Sequence, residues 1–279
     1  MPGITGACSD SASIGGCREP DQCCWAVIRT AKAFRPACGL FRIEGSIVIA
    51  QEGSMDRLTW LDQRHVAVLT CYDRQAPSYD TSIYPAKAQH QWVARLLRAC
   101  PAGRVVLDAP CGTGTYFTMV VAAGFRVVGA DQSAGMLKRA RERRIATALH
   151  QVRLQELSYS GQFDAVLTID AMENVPPEDW PLVLTNLHRA LRPGGSLYLT
   201  VEEVPQPVIE GAFATLTARG LPAVRGEVVE GNVAGYRYYP GRDRVLGWFS
   251  AAGLQIIDEG FSQEDGRGYR HFLLQKTGQ

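Results

Sequence analysis

Residues 104–115 read Arg-Val-Val-Leu-Asp-Ala-Pro-Cys-Gly-Thr-Gly-Thr, and the rest of the chain can be placed around them. Val105, Val106 and Leu107 form a short apolar run with β-branched residues, as expected of a strand buried on both faces. Asp108 closes that run. Gly112 and Gly114 then permit a tight turn and a close approach of backbone to ligand. Thr113 or Thr115 is positioned to cap the helix that follows, whose apolar face would carry Phe117, Val120 and Val121. A strand, a glycine turn and a helix make the first unit of a nucleotide-binding α/β sheet.

The chain has 279 residues, 46% of them hydrophobic, and a net charge of +1. That length suits one large or two small domains with a sizeable core. Without a dense basic run, nucleic acid and anionic membranes are not expected partners. No apolar stretch approaches the roughly 20 residues that span a bilayer. The start has no basic segment followed by an apolar block, so no signal peptide is expected and a soluble cytoplasmic protein is the default.

The first 54 residues differ from the rest, carrying Cys8, Cys17, Cys23, Cys24 and Cys38. Residues 1–24 are rich in Gly, Ser, Pro and Asp without periodicity, which argues for disorder. A short helix over 26–33 and a short strand over 47–49 have no evident partners. The spacing of Cys17, Cys23 and Cys24 is not that of a zinc site, so no metal is expected, nor a disulfide framework. Residues 1–54 therefore read as a dispensable extension and 55–279 as one α/β domain.

Within that domain a helix is expected over 56–70, with Leu58, Leu61, Val66 and Leu69 as its apolar stripe. A second helix runs over 85–100, with Trp92, Val93, Leu96 and Leu97 inward. Strands follow at 125–130, 148–152, 163–169 and 196–201. Helices alternate with them at 134–144, capped by Ser133, and at 179–191, so a parallel sheet is expected. Residues 202–247 form a longer excursion, with a helix over 208–219 and a hairpin or two irregular strands at 227–229 and 236–239. A helix over 245–252 and strands at 254–258 and 271–275 finish the chain; the short link between these strands makes the last one antiparallel.

Asp131 decides the class of ligand. It lies 19 residues after Gly112, where an acidic side chain accepts hydrogen bonds from both ribose hydroxyls. A dinucleotide site needs a third glycine, and Phe117 occupies its place. Asp108 also disfavours a diphosphate, because a carboxylate there repels phosphate but attracts an ammonium or sulfonium.

The stretch Asp108-Ala-Pro-Cys-Gly-Thr-Gly114 resembles the first motif of class I S-adenosylmethionine-dependent methyltransferases, with Pro110 where the family usually has its first glycine. Further similarities follow in order. Asp131-Gln132-Ser133 with Met136-Leu137 is similar to the second motif, and Phe163-Asp164-Ala165-Val166 to the fourth strand. Leu191-Arg-Pro-Gly-Gly195, then Leu197-Tyr-Leu199, is similar to the start of the fifth strand. Tyr72-Asp73-x-x-Ala76-x-x-Tyr79-Asp80 is similar to the upstream segment. The resemblance spans about residues 70–279 and implies a Rossmann-like, doubly wound, mostly parallel seven-stranded sheet with an antiparallel last strand.

It also implies roles by position. Gly112 and Gly114, beside Pro110, let backbone pack against S-adenosylmethionine, and Asp108 holds its aminoacyl end under a lid made by Tyr79. Asp131 binds the ribose, Gln132 and Met136 lie near the adenine, and Gln155 and Glu156 meet its edge. Asp170 and Ala171 stand beside the sulfonium. The reaction is methyl transfer by in-line displacement to an oxygen or nitrogen atom of a small molecule, for which alignment and water exclusion suffice. An acceptor proton, where one must leave, has candidate bases in Glu173, Asn174, Glu202, Glu203, Tyr236, Tyr238 and His271. Tyr236, Tyr238 and Tyr239, with Trp248 and Phe249, either wall an acceptor pocket or pack a β-ribbon on the sheet. Two alternatives stand beside the enzyme: a catalytically silent binding protein of the same fold, and a nicotinamide-dependent oxidoreductase.

Overall fold

The computed structural model describes residues 55–82, 87–100, 104–230, 235–264 and 267–277. The expected N-terminal extension, with its cysteines, short helix and short strand, lies outside the described residues.

The four-residue strand β1 (Val105–Asp108) is an interior strand, third in a seven-stranded sheet. On one side it pairs in parallel with β2 (Arg126–Asp131), which pairs in parallel with β3 (Ala148–Gln151). On the other side it pairs in parallel with β4 (Phe163–Thr168), and β4 with β5 (Leu191–Glu203). The chain thus leaves β1 first toward one edge and then toward the other, which opens a crevice at the carboxyl ends of β1, β2 and β4. The last strands, β8 (Leu254–Glu264) and β9 (Arg267–Lys276), form a hairpin, and β9 inserts antiparallel between β5 and β8.

Successive strand residues point to opposite faces, and two cores result. Leu107, Val166, Leu197 and Phe272 face one layer, which includes Trp60, Trp180, Leu184 and Phe249. Val106, Ala165, Leu167, Tyr198 and Leu273 face the other, which includes Val93, Leu96, Phe117 and Leu137. The helices supplying these side chains are α1 (Arg57–Gln75), α3 (Lys87–Ala99), α4 (Phe117–Ala122), α5 (Ala134–Glu142), α6 (Trp180–Ala190) and α8 (Arg242–Ala251). A single turn, α2 (Tyr79–Ser82), and a helix after β5, α7 (Gln206–Ala218), complete the helices. The excursion also contains a separate two-stranded antiparallel sheet, β6 (Glu227–Glu230) and β7 (Gly235–Tyr238).

Several local expectations are corrected. Helix α1 does not bury the stripe of Leu58 and Val66, which are 73% and 59% exposed; it buries Trp60, Val68 and Cys71 instead. Both sets have helical spacing, and the one carrying the indole removes more apolar surface from water. Neither Thr113 nor Thr115 caps α4. That helix starts later, after Tyr116, because residues 111–117 are used in two successive turns closed by Gly114 N to Cys111 O and Phe117 N to Gly114 O. Val121 lies on its exposed side. Strands β5, β8 and β9 extend beyond their apolar segments, because their antiparallel ladder continues by backbone hydrogen bonding through polar residues.

Candidate active site

A solvent-open cleft lies over the carboxyl ends of β1, β2 and β4. Of the residues expected at a cofactor, Pro110 and Gly112 line it from the first turn, and Asp131, Gln132 and Met136 from β2 and α5. Tyr79, Gln155, Asp170 and Ala171 line it as well. Asp108, Gly114 and Glu156 are not among its lining residues.

Asp131 is held by backbone. Its Oδ2 accepts from the Gly112 amide and its Oδ1 from the Ser133 amide, each at 2.8 Å. Burial raises its carboxyl pKa to about 6, and the two amides oppose that rise. Ser133 caps α5 as expected, accepting from Met136 N at 3.0 Å. Its hydroxyl in turn donates to Asp73 at the end of α1, which also accepts from Gly135 N at 2.9 Å. The upstream Tyr-Asp pattern thus acquires a physical role, since Asp73 ties α1 to the start of α5. Asp80 has the parallel one. It accepts from Thr113 Oγ1 and from Arg143, and so pins α2, with Tyr79, beside the glycine turn.

The two glycines differ in purpose. At Gly112, with φ +52°, an added Cβ would meet nothing within 4 Å, so the turn leaves open space at the cleft. At Gly114, with φ +82°, a Cβ would lie 2.5 Å from the Phe117 ring, so this glycine makes room for helix packing. Gly129 in β2 is a second close-packing glycine that the sequence motif did not indicate; a Cβ there would lie 2.8 Å from the same ring.

Asp108 is buried beneath the turn, and its Oδ2 has no hydrogen-bond partner. Burial pushes its pKa well above the usual carboxylate range, with the Asp131 charge adding to the rise. An orphaned buried carboxyl oxygen, an open approach at Gly112 and a backbone-held carboxylate at Asp131 together suit a ligand with a cationic group and a diol. They fit S-adenosylmethionine.

At the end of β4 the chain enters the left-handed region, with φ +48° at Asp170. A non-glycine residue there stores strain of a kind that gathers at functional sites. Its carboxylate accepts from Gln89 Nε2 at 2.7 and 2.8 Å, its amide donates to Thr200 Oγ1, and burial raises its pKa to about 6. A 3-10 turn, Met172–Asn174, follows. Glu173 in that turn is buried, with Oε2 unpartnered and Arg237 at 3.7 Å. Desolvation lifts its pKa to about 8 against the pull of that guanidinium. Arg237 itself pairs with Glu202 at 2.5 Å, and Arg267 approaches Glu202 at 3.4 Å.

The remaining candidate bases are committed elsewhere. Tyr236 is buried, donates to Glu227 at 2.7 Å and packs edge-on against Trp60. Tyr238 is buried and accepts from Arg244. Strand alternation turns both rings into the core and sends Arg237 between them toward the carboxylates, so the tyrosines do not wall the cleft. His271 is fully buried between the Tyr198 hydroxyl and Ser262 Oγ, each at 2.8 Å, and stacks on Trp92. Glu203 pairs with Arg270. Gln155, although in the cleft, donates to Asp179. Sequence reasoning missed Tyr116, His65, Asn174 as a cleft residue, and Tyr72 as more than part of a pattern. Among the described residues, no group of His, Cys, Asp or Glu is arranged to hold a metal ion.

A family model described as a methyltransferase domain matches residues 106–195. The demethylmenaquinone methyltransferase of Listeria monocytogenes serotype 4a is 30% identical over 231 residues, covering 75% of this chain and 95% of that protein. A ubiquinone biosynthesis O-methyltransferase of Pseudomonas paraeruginosa is 28% identical over 58% of this chain and 68% of its own length. Among solved structures, the 1,6-didemethyltoxoflavin-N1-methyltransferase of Burkholderia thailandensis, with S-adenosylhomocysteine bound, superposes with a TM-score of 0.57. It shares 19% identity and covers 77% of this chain and 90% of that one.

Proposed function

This chain belongs to the class I S-adenosylmethionine-dependent methyltransferases, and from that premise we propose that it methylates an oxygen or nitrogen atom of a small organic molecule in the cytoplasm. The observation that carries the reading is the Asp131 carboxylate, fixed by two backbone amides at the carboxyl end of β2 and facing the cleft. Asp131 binds the ribose diol, Gln132 and Met136 flank the adenine, and Asp108 and Asp170 hold the cationic end beneath Tyr79. S-adenosylmethionine supplies a methyl group already activated by positive sulfur. The protein's part is therefore to align the acceptor and exclude water, which the aromatic side chains of Tyr72, Tyr79 and Tyr116 along the cleft serve. A small acceptor is supported by the aromatic lining of the cleft, by the net charge of +1 and by the small molecules named in the relatives' activities. Among the described residues no helix is long and apolar enough to cross a membrane.

Calorimetry with S-adenosylmethionine, S-adenosylhomocysteine and NAD tests this reading. Binding of both sulfur compounds and not NAD is expected. Methyl release onto hydroxylated and amino aromatic test compounds then separates a catalyst from a silent binder. Absence of heat with either sulfur compound would refute the reading.

A further inference from the structure

Tyr72 and Asn174 meet at the wall of the cleft, and their hydrogen bonding leaves a matched pair of groups unused. The Asn174 amide nitrogen donates to Tyr72 Oη at 3.3 Å and to Glu173 Oε1 at 3.5 Å, so both of its hydrogens are engaged. The Tyr72 oxygen is therefore an acceptor in this contact, and its own hydrogen has no acceptor among the described residues. Asn174 Oδ1 likewise has no donor among them. Burial holds the Tyr72 phenol far above its ordinary pKa, so it remains a donor throughout the physiological range. One free O–H beside one free carbonyl oxygen complements a hydroxyl group, which accepts from the first and donates to the second.

Glu173, Arg237 and Asp170 are the charged groups near the pair, while part of the cleft wall beside it is apolar and aromatic. Ile169, Ala171 and Val175 line the same cleft, and the Tyr79 ring stands 6.5 Å from that of Tyr72 at 53°. Asn174 is also only four residues from Asp170, the residue proposed to lie beside the cationic end of the cofactor.

We propose that Tyr72 and Asn174 form the subsite that binds a hydroxyl group of the methyl acceptor, and that the acceptor is a hydroxylated planar ring, a phenol or an enol. This rests on the methyltransferase reading above and adds to it the recognition of the second substrate. Burying such a hydroxyl against matched partners discriminates strongly against analogues that lack it, because those analogues leave the protein's polar groups unpaired.

The test uses two probes of equal shape, 2-naphthol and 2-methylnaphthalene, titrated into the full chain saturated with S-adenosylhomocysteine. The ratio of their affinities should fall about tenfold in Tyr72→Phe, which keeps the ring and deletes the donor. Asn174→Leu, which removes the carbonyl, should lower the same ratio. Affinity for S-adenosylhomocysteine should be unchanged in both variants. A ratio that survives Tyr72→Phe, or no measurable binding of 2-naphthol to the native protein, overturns the subsite while leaving the cofactor reading intact. Failure of the native protein to bind S-adenosylhomocysteine at all would instead remove the methyltransferase reading beneath it.

Discussion

Replacing Asp131 by asparagine keeps the size of the side chain and removes its charge. The native carboxylate is 6% exposed, and burial raises its pKa from 3.8 to about 6. A raised carboxylate pKa costs the folded state nothing below about pH 4, progressively more up to pH 6, and about 3 kcal/mol above it, at roughly 1.4 kcal/mol per pH unit. The substitution relieves that cost but turns an amide NH2 toward one of the two backbone donors, leaving that donor unpaired at about 1–3 kcal/mol. The terms nearly cancel, so the variant should fold with little change in Tm. Binding is affected more. Each ribose hydroxyl exchanges a charged acceptor for a neutral one, a loss of about 1–1.5 kcal/mol, so S-adenosylhomocysteine should bind about 30- to 150-fold more weakly at pH 7. The pH profile adds a second signature. Asp131 and Asp170 both titrate near pH 6, and in the proposed site both would meet the ligand ionised. Native affinity should fall about a hundredfold between pH 7 and pH 5, and that of Asp131→Asn only about tenfold, since one titrating group remains. Isothermal calorimetry at pH 5, 6 and 7 measures both quantities. An unchanged dissociation constant at pH 7, or a variant with the native pH profile, refutes the assignment of Asp131 to the ribose.

Burial, with the Asp131 charge, raises the Asp108 carboxyl pKa, and a cationic ligand group placed against it would oppose that rise. Asp108→Asn, which cannot carry the opposing charge, should therefore weaken S-adenosylmethionine binding while leaving thermal stability unchanged or raised, measured by calorimetry and thermal unfolding. Gly112→Val forces a β-branched residue to φ +52° and places its methyls at the cleft, so S-adenosylhomocysteine binding should be lost; Gly114→Ala, colliding with Phe117, should instead lower thermal stability by several degrees. Tyr236→Phe deletes a buried donor to the Glu227 carboxylate and should destabilise the fold by about 1.5–3 kcal/mol by thermal unfolding. Its affinity for S-adenosylhomocysteine should stay native, and a loss of that affinity would return Tyr236 to the site.

The fold and half of the site are local in origin, and the amino-acid sequence determined them. The run Val105–Leu107, the apolar strand at Phe163–Thr168, the Ser133 cap and the acidic end at Asp131 each depend on a few neighbouring residues, and each occupies the expected place. The glycine pair was legible as a turn. That Gly112 opens the cleft while Gly114 accommodates Phe117 depended on a helix packed against the turn, and so on tertiary structure. The same holds for α1, where two stripes of helical spacing compete and only contact with the sheet and Tyr236 selects the one with Trp60. On the far side of the site, Asp170 was read as a neighbour of the cofactor and Glu173 and Glu202 as candidate bases, but Arg237 and its pairing with those carboxylates were not legible. Arg237, Glu173, Glu202 and Asp170 come from β7, the turn after β4 and β5, and even the directly bonded pair of Arg237 and Glu202 is 35 residues apart in the chain. Their protonation and pairing arise from mutual burial, a property of the folded interior that no local pattern encodes. Tyr236 and Tyr238 show the cost of reading composition without direction: their aromatic character was plain, but which face each ring takes is set by the pairing of β6 with β7 and by what that hairpin packs against.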